Sequence, residues 1–178
     1  LDLPQNTPER YFLALTGASA EKGTPWLEEA CVALGAPLVI CGSAEPGYSK
    51  KQQKGTAGVV YVGHKSGAEL EAYWPHAAAG VSASHLPETF GLVALESLAH
   101  GKPFVCFDAG AYKEIVRQGQ DGVVAQTPEE FTAALAAIWN KTKQYDEEAL
   151  RVSTKTRFGS EQYLQQYEVA LRRVLAEK

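Results

Sequence analysis

The sequence contains no methionine, not even at position 1, and only three cysteines in 178 residues. Cys31, Cys41 and Cys106 are far apart, odd in number and set among apolar neighbours. No C-x-x-C pair or Cys/His cluster occurs, so neither a metal site nor a disulfide framework is expected. Reduced core cysteines in a reducing compartment are expected instead. Positive charge is not in excess either: 17 Lys and Arg stand against 21 Asp and Glu, a net charge of −4. With no basic stripe, no nucleic-acid partner is expected. No apolar run approaches the roughly 20 residues that span a bilayer. Leu1-Asp2-Leu3-Pro4-Gln5-Asn6 lacks the charged and apolar regions of a secretory signal, so a cytoplasmic location is expected. The missing initiator residue reads as a piece excised from a longer chain.

What remains is ordinary globular composition, 45% hydrophobic and 21% charged, enough for one domain or one lobe of a two-lobed protein. Apolar runs of β type alternate with helical stretches. Tyr11-Phe12-Leu13-Ala14-Leu15 reads as the first strand. Thr24 as cap and Pro25 at the first turn open a helix that Gly35 closes. Leu38–Cys41 and Val59–Val62 are the next strands, separated by a polar loop over Ser43–Thr56. Ser66 and Glu69 suggest a capping box for a helix through Trp74. Val81-Ser82-Ala83 reads as a short fourth strand, followed by a helix over Phe90–Ala99. Strands at 104–107 and 122–125 frame a short helix at Glu114-Ile115-Val116. Thr127-Pro128 opens another helix, and residues 146–175 are helical with a break at Phe158-Gly159. This alternation predicts an α/β, Rossmann-like three-layer α/β/α domain with a parallel sheet of about six strands. Such sheets bind ligands beyond the carboxyl ends of their strands.

Two segments there carry chemistry. Glu88-Thr89-Phe90-Gly91-Leu92-Val93-Ala94-Leu95-Glu96 puts one glutamate before a helix and a second inside it. A helix N-terminus offers unpaired amides to a phosphate, and Gly91 lets a ligand approach the backbone. Ionised carboxylates only accept hydrogen bonds, which suits the hydroxyls of sugar and ribose. Taken alone, the same residues also read as a helix-dipole partner and a solvated surface group. Gly17-Ala18-Ser19-Ala20-Glu21-Lys22-Gly23 follows the first strand, where Lys22 is either a point charge for a diphosphate or a surface lysine. A dinucleotide fingerprint and a P-loop are both absent.

Together these segments resemble the C-terminal, nucleotide-sugar-binding domain of the retaining glycosyltransferases of family 4, one lobe of the GT-B fold. The family's glycine-and-lysine loop is similar to Gly17–Gly23, and its E-x-F-G-L-x-x-x-E signature to Glu88–Glu96. Gly101-Lys102-Pro103, the run from Glu114 to Gly122 and the aromatic C-terminal helix through Tyr163 and Tyr167 are also similar. The resemblance implies a retaining transferase that moves a sugar from a nucleotide diphosphate sugar, such as a UDP- or GDP-sugar, with no bound metal or cofactor. It implies catalytic roles for Glu88 at the donor sugar and Lys22 at the leaving diphosphate. Glu96 would take the ribose, the backbone at Phe90, Gly91 and Leu92 the sugar and phosphate oxygens, with Gly17, His64 and His85 alongside. Residues 1–9 would be a linker from an absent N-terminal, acceptor-binding lobe, 10–157 the donor domain and 158–178 a C-terminal helix. The isolated piece would then be inactive for transfer, and membrane attachment of the longer protein stays open. A non-catalytic nucleotide-sugar binding module and another GT-B enzyme, such as an epimerase, are the alternatives.

The sequence departs from the family pattern at Ala18, where the family has an arginine, and at Lys113, where it often has proline. His76 and His100 are expected at helix ends, and Trp26, Trp74 and Trp139 in packing roles.

Overall fold

A computed structural model describes residues 3, 7–43 and 58–176. The polar loop expected at 43–56 lies almost wholly outside them, as does most of the expected linker at 1–9. Six strands, β1 (Tyr11–Leu15), β2 (Leu38–Cys41), β3 (Val59–Gly63), β4 (Ala77–Ser82), β5 (Phe104–Phe107) and β6 (Gly122–Ala125), form one sheet. Their order is β3-β2-β1-β4-β5-β6 and every pairing is parallel.

The strands are almost wholly apolar because both faces of the sheet are covered, edge strand β3 staying half-buried. Phe12 and Ala14 face one side, where α1 (Thr24–Leu34) and α5 (Pro128–Trp139) bring Leu27, Phe131 and Leu135. Trp26 packs edge-on against Phe131, and Trp139 tilts against Phe12. On the opposite face, Tyr11 and Leu13 meet Tyr73 and Trp74, beside the short α2 (Ala68–Glu71). Phe104 and Cys106 on that face meet α3 (Leu92–Ala99), α4 (Tyr112–Ile115) and α6 (Glu147–Phe158). Each fully buried large side chain contributes about 1.5–3 kcal/mol. The cysteines are free and buried, and burial pushes the thiols of Cys31 and Cys41 up to about 12. α7 (Ser160–Ala176) follows the break at Gly159, and none of its described side chains is buried.

Four local expectations change. β4 starts at Ala77, four residues earlier than read, because Ala77-Ala78-Ala79-Gly80 lacks the branched residues that mark strands. Gly80 lets α3 approach: an added Cβ would stand 2.5 Å from the Ser97 hydroxyl, to which the Gly80 N–H donates. The helix over Phe90–Ala99 instead begins at Leu92, after Gly91 in the left-handed conformation. Thr24 is the first residue of α1 rather than its cap, and its buried hydroxyl serves the preceding loop. Ser66 and Glu69 form no side-chain cap; Glu69 pairs with Lys65 at 3.7 Å.

Candidate functional site

Strand order reverses direction between β1 and β4, and such a switch point opens a crevice at the carboxyl ends of the strands. The loops after these two strands face each other across it. Lys22 from the first and Glu88 from the second meet there, Nζ to Oε1, at 3.3 Å. The side chains are 35% and 23% exposed, so the pair is partly shielded and still reachable.

The Lys22 loop is folded largely by its own side chains. The Thr24 hydroxyl donates to the Gly17 carbonyl and accepts the Ser19 N–H, both at 3.4 Å. The Ser19 hydroxyl accepts the Lys22 N–H at 3.2 Å. Gly23 has φ +66, and a Cβ there would fall 2.1 Å from the Ala83 carbonyl oxygen, so only glycine lets the two loops meet. Ala18 is fully buried and its N–H donates to Ser43. An arginine at 18 would have to leave the core, whereas Gly17 is exposed.

In the Glu88 loop the Ser84 hydroxyl accepts the Leu86 N–H at 3.2 Å, and Glu88 itself is held from outside the loop. The Glu88 N–H donates to Ala109, and its carbonyl accepts the Ala111 N–H at 2.9 Å. Between them Gly110, at φ +67, leaves no room for a Cβ, which would stand 2.4 Å from the Glu88 oxygen. Tyr112 is buried, and its hydroxyl donates to Ser82 at 3.2 Å. Its ring lies 3.2 Å from where a Cβ on Gly91 would be.

Helix α3 begins at this loop with no side-chain cap. Among the described residues no acceptor is bonded to the amides of Leu92 and Val93. Those orphan donors and the positive dipole end suit a phosphate oxygen. The Phe90 and Leu92 side chains are 58% and 63% exposed at the rim. Glu96 stands one turn into α3 on its exposed side. Desolvation by surrounding protein, and then the Glu71 charge, raises its carboxyl pKa.

His85 is exposed beside the Glu88 loop, stacked on Phe107 with ring centroids 4.4 Å apart. His64 is exposed past the end of β3 and is not brought to the Lys22–Glu88 pair. From β3 to β1 is two strand spacings, about 10 Å. His76 and His100 fall at helix ends, where His100 stacks on Trp74 and pairs with Glu71 at 3.4 Å. Lys113 pairs with Asp108 at 3.5 Å. Gly110, Ala111 and Tyr112 were not singled out by sequence; their signal was the glycine before the Glu114 run. Among the described residues, no group of three or more His, Cys, Asp or Glu converges as a metal cage. A hollow of about 790 Å³ lies beside edge strand β6, between Arg117 and Glu130, and does not include Lys22, Glu88 or Glu96.

Residues 10–141 match the family described as Glycosyl transferases group 1. The chain belongs to this family. A glycogen synthase of Mycobacterium tuberculosis is 42% identical over 78 residues, 44% of this chain and 18% of that protein. The Anabaena protein HepE, solved with UDP, superposes with a TM-score of 0.76 at 22% identity. The match covers 93% of this chain and 49% of HepE. The C-terminal domain of a Francisella tularensis group 1 glycosyl transferase superposes with a TM-score of 0.65 at 23% identity. That match covers 85% of this chain and 87% of the Francisella domain. The sheet and its flanking helices are thus the fold of one GT-B glycosyltransferase lobe. No helix among the described residues is long and apolar enough to cross a membrane.

Proposed function

We propose that this glycosyl transferase group 1 domain is the donor half of a retaining, family 4 type enzyme. It would hold a nucleotide diphosphate sugar in the crevice between the loops after β1 and β4. The observation that carries this is the Lys22–Glu88 pair beside the open amides of α3. One spot thereby offers a cation, orphan N–H donors and a carboxylate. The first two suit a diphosphate and the third suits sugar hydroxyls.

In this reading Lys22 neutralises the leaving diphosphate as its bond to the sugar breaks. Glu88 contacts the sugar, Glu96 the ribose, and the backbone at Phe90, Gly91 and Leu92 the sugar and phosphate oxygens. His85 and Gly17 stand beside the sugar and diphosphate, and His64 lies along the base. The Anabaena neighbour's UDP favours a nucleoside diphosphate here as well. The acceptor would come from a second lobe, since positioning supplies much of the rate and a closed cleft excludes water. This chain alone would then bind a donor without transferring its sugar. The buried Ala18 favours weak donor binding, as a pure binding module would also show.

Titration of UDP-, GDP- and ADP-sugars into the chain tests the reading. One family of donors should bind, and Glu96→Ala should weaken it about tenfold to a hundredfold through lost charged hydrogen bonds. Flat traces with every donor at millimolar concentration would refute it.

A further inference from the structure

We propose that Glu88 makes this site discriminate the nucleotide diphosphate sugar from the bare nucleoside diphosphate, in favour of the sugar-bearing form. The inference rests on the donor-site reading and adds a specificity rule to it.

The rule comes from the 3.3 Å separation of Lys22 Nζ and Glu88 Oε1. A phosphate oxygen that engages this ammonium where it stands arrives close to the carboxylate. The root of the Glu88 side chain is fixed beside Lys22, because its backbone is bonded on both sides to Ala109 and Ala111, and Gly110 packs closely against that backbone. In the bare diphosphate the terminal phosphate is a monoester-like end, bearing about 1.5–2 negative charges near neutral pH. It has almost no proton to offer an acceptor-only carboxylate. In the donor the same phosphate is esterified, so it bears a single charge and carries sugar hydroxyls that donate. One carboxylate therefore repels the product and accepts hydrogen bonds from the substrate. The amides of Leu92 and Val93 can donate to phosphate oxygens of either ligand, so the distinction rests on Glu88. Repulsion at this separation in a partly exposed site corresponds to roughly tenfold in affinity. The consequence is rapid release of the nucleoside diphosphate after transfer.

The test is calorimetric titration of the chain and of Glu88→Gln with UDP and with UDP-glucose. The ADP and ADP-glucose pair, or GDP and GDP-mannose, replaces them if the donor panel selects that base. The unaltered chain should bind UDP-glucose at least as tightly as UDP. Glu88→Gln should tighten UDP about tenfold and weaken UDP-glucose, reversing the preference. Lys22→Met should weaken both ligands. Glu88→Ala is the second variant if Glu88→Gln does not fold, with the same reversal expected. Equal shifts for the two ligands in either direction, or no shift, overturn the proposal and leave the donor site standing. If the unaltered chain binds neither ligand, the donor-site reading falls and this rule falls with it.

Discussion

The two loops that meet at the crevice differ in what holds their charged residue. The loop after β1 folds on its own side chains, with Ser19 and Thr24 bonding within residues 17–24. The loop after β4 has one such bond, from the Leu86 N–H to Ser84, but its Glu88 leans on the segment after β5, through Ala109, Gly110, Ala111 and Tyr112. That segment is braced in turn by α6. Arg157 donates to the carbonyls of Glu114 and Ile115 and to the buried carboxylate of Asp121, which also holds Arg117. A cation that only needs reach can stand on a self-contained turn. The backbone of Glu88, the carboxylate proposed for the sugar, is held by its own loop, the segment after β5 and α6. Changes in the outer scaffold should therefore reach the site from farther away than changes in the inner loop.

The largest effect is expected from Gly110→Ala. The new methyl meets the Glu88 oxygen and the backbone is in the left-handed region, so we expect a loss of about 2–4 kcal/mol by urea unfolding and no donor binding. Donor affinity that survives unchanged would remove the outer scaffold from the account. Asp121→Asn, more remote, should cost about 2–3 kcal/mol at neutral pH. Burial alone would raise the Asp121 pKa, but hydrogen bonds from Arg117 and the charges of Arg117 and Arg157 lower it overall. A lowered pKa gives stability that is present above the unfolded value, about 3.9, and lost as pH falls through the folded one. Melting curves across acid pH should show this loss in the unaltered chain and a flatter profile in Asp121→Asn.

Within the inner loop, Thr24→Val deletes a buried hydroxyl that serves Ser19 and Gly17. We expect about 1–2 kcal/mol by thermal melting, with weaker nucleotide binding through Lys22. The smallest effect is a gain. Gly17→Arg puts a second cation on the exposed position, where a Cβ stands 3.4 Å from the Ser43 carbonyl oxygen, an ordinary contact. Diphosphate affinity should rise a few-fold, about 0.5–1 kcal/mol, by calorimetry. A similar gain from arginine at the buried position 18 would contradict the placement of the loop.

This contrast also separates what the sequence made legible from what it did not. The alternation of apolar runs with capped helices was enough for the α/β class. β5 and β6, rich in Val and Phe, were read to the residue, whereas β4 was truncated because an Ala-Ala-Ala-Gly start carries no strand signal. Lys22 is visible beside Gly23 and Glu88 three residues before Gly91, but they lie 66 residues apart and their contact depends on strand order, which periodicity does not encode. The self-bonded inner loop left local marks in Ser19 and Thr24, although Thr24 was misassigned as a cap. The outer scaffold left almost none, because the contacts of Gly110 and Tyr112 with Glu88, Ser82 and Gly91 exist only once β4 and β5 are side by side.

The proposed donor site puts a nucleoside diphosphate group between Lys22 and the start of α3. Amide chemical-shift mapping tests it most directly, with UDP-, ADP- and GDP-sugars titrated into the labelled chain. The largest shifts should fall on residues 17–23 and 88–93 and vanish in Lys22→Met. Shifts centred on the hollow beside β6, at Val123, Val124 and Gln126, with residues 17–23 unmoved, would contradict it.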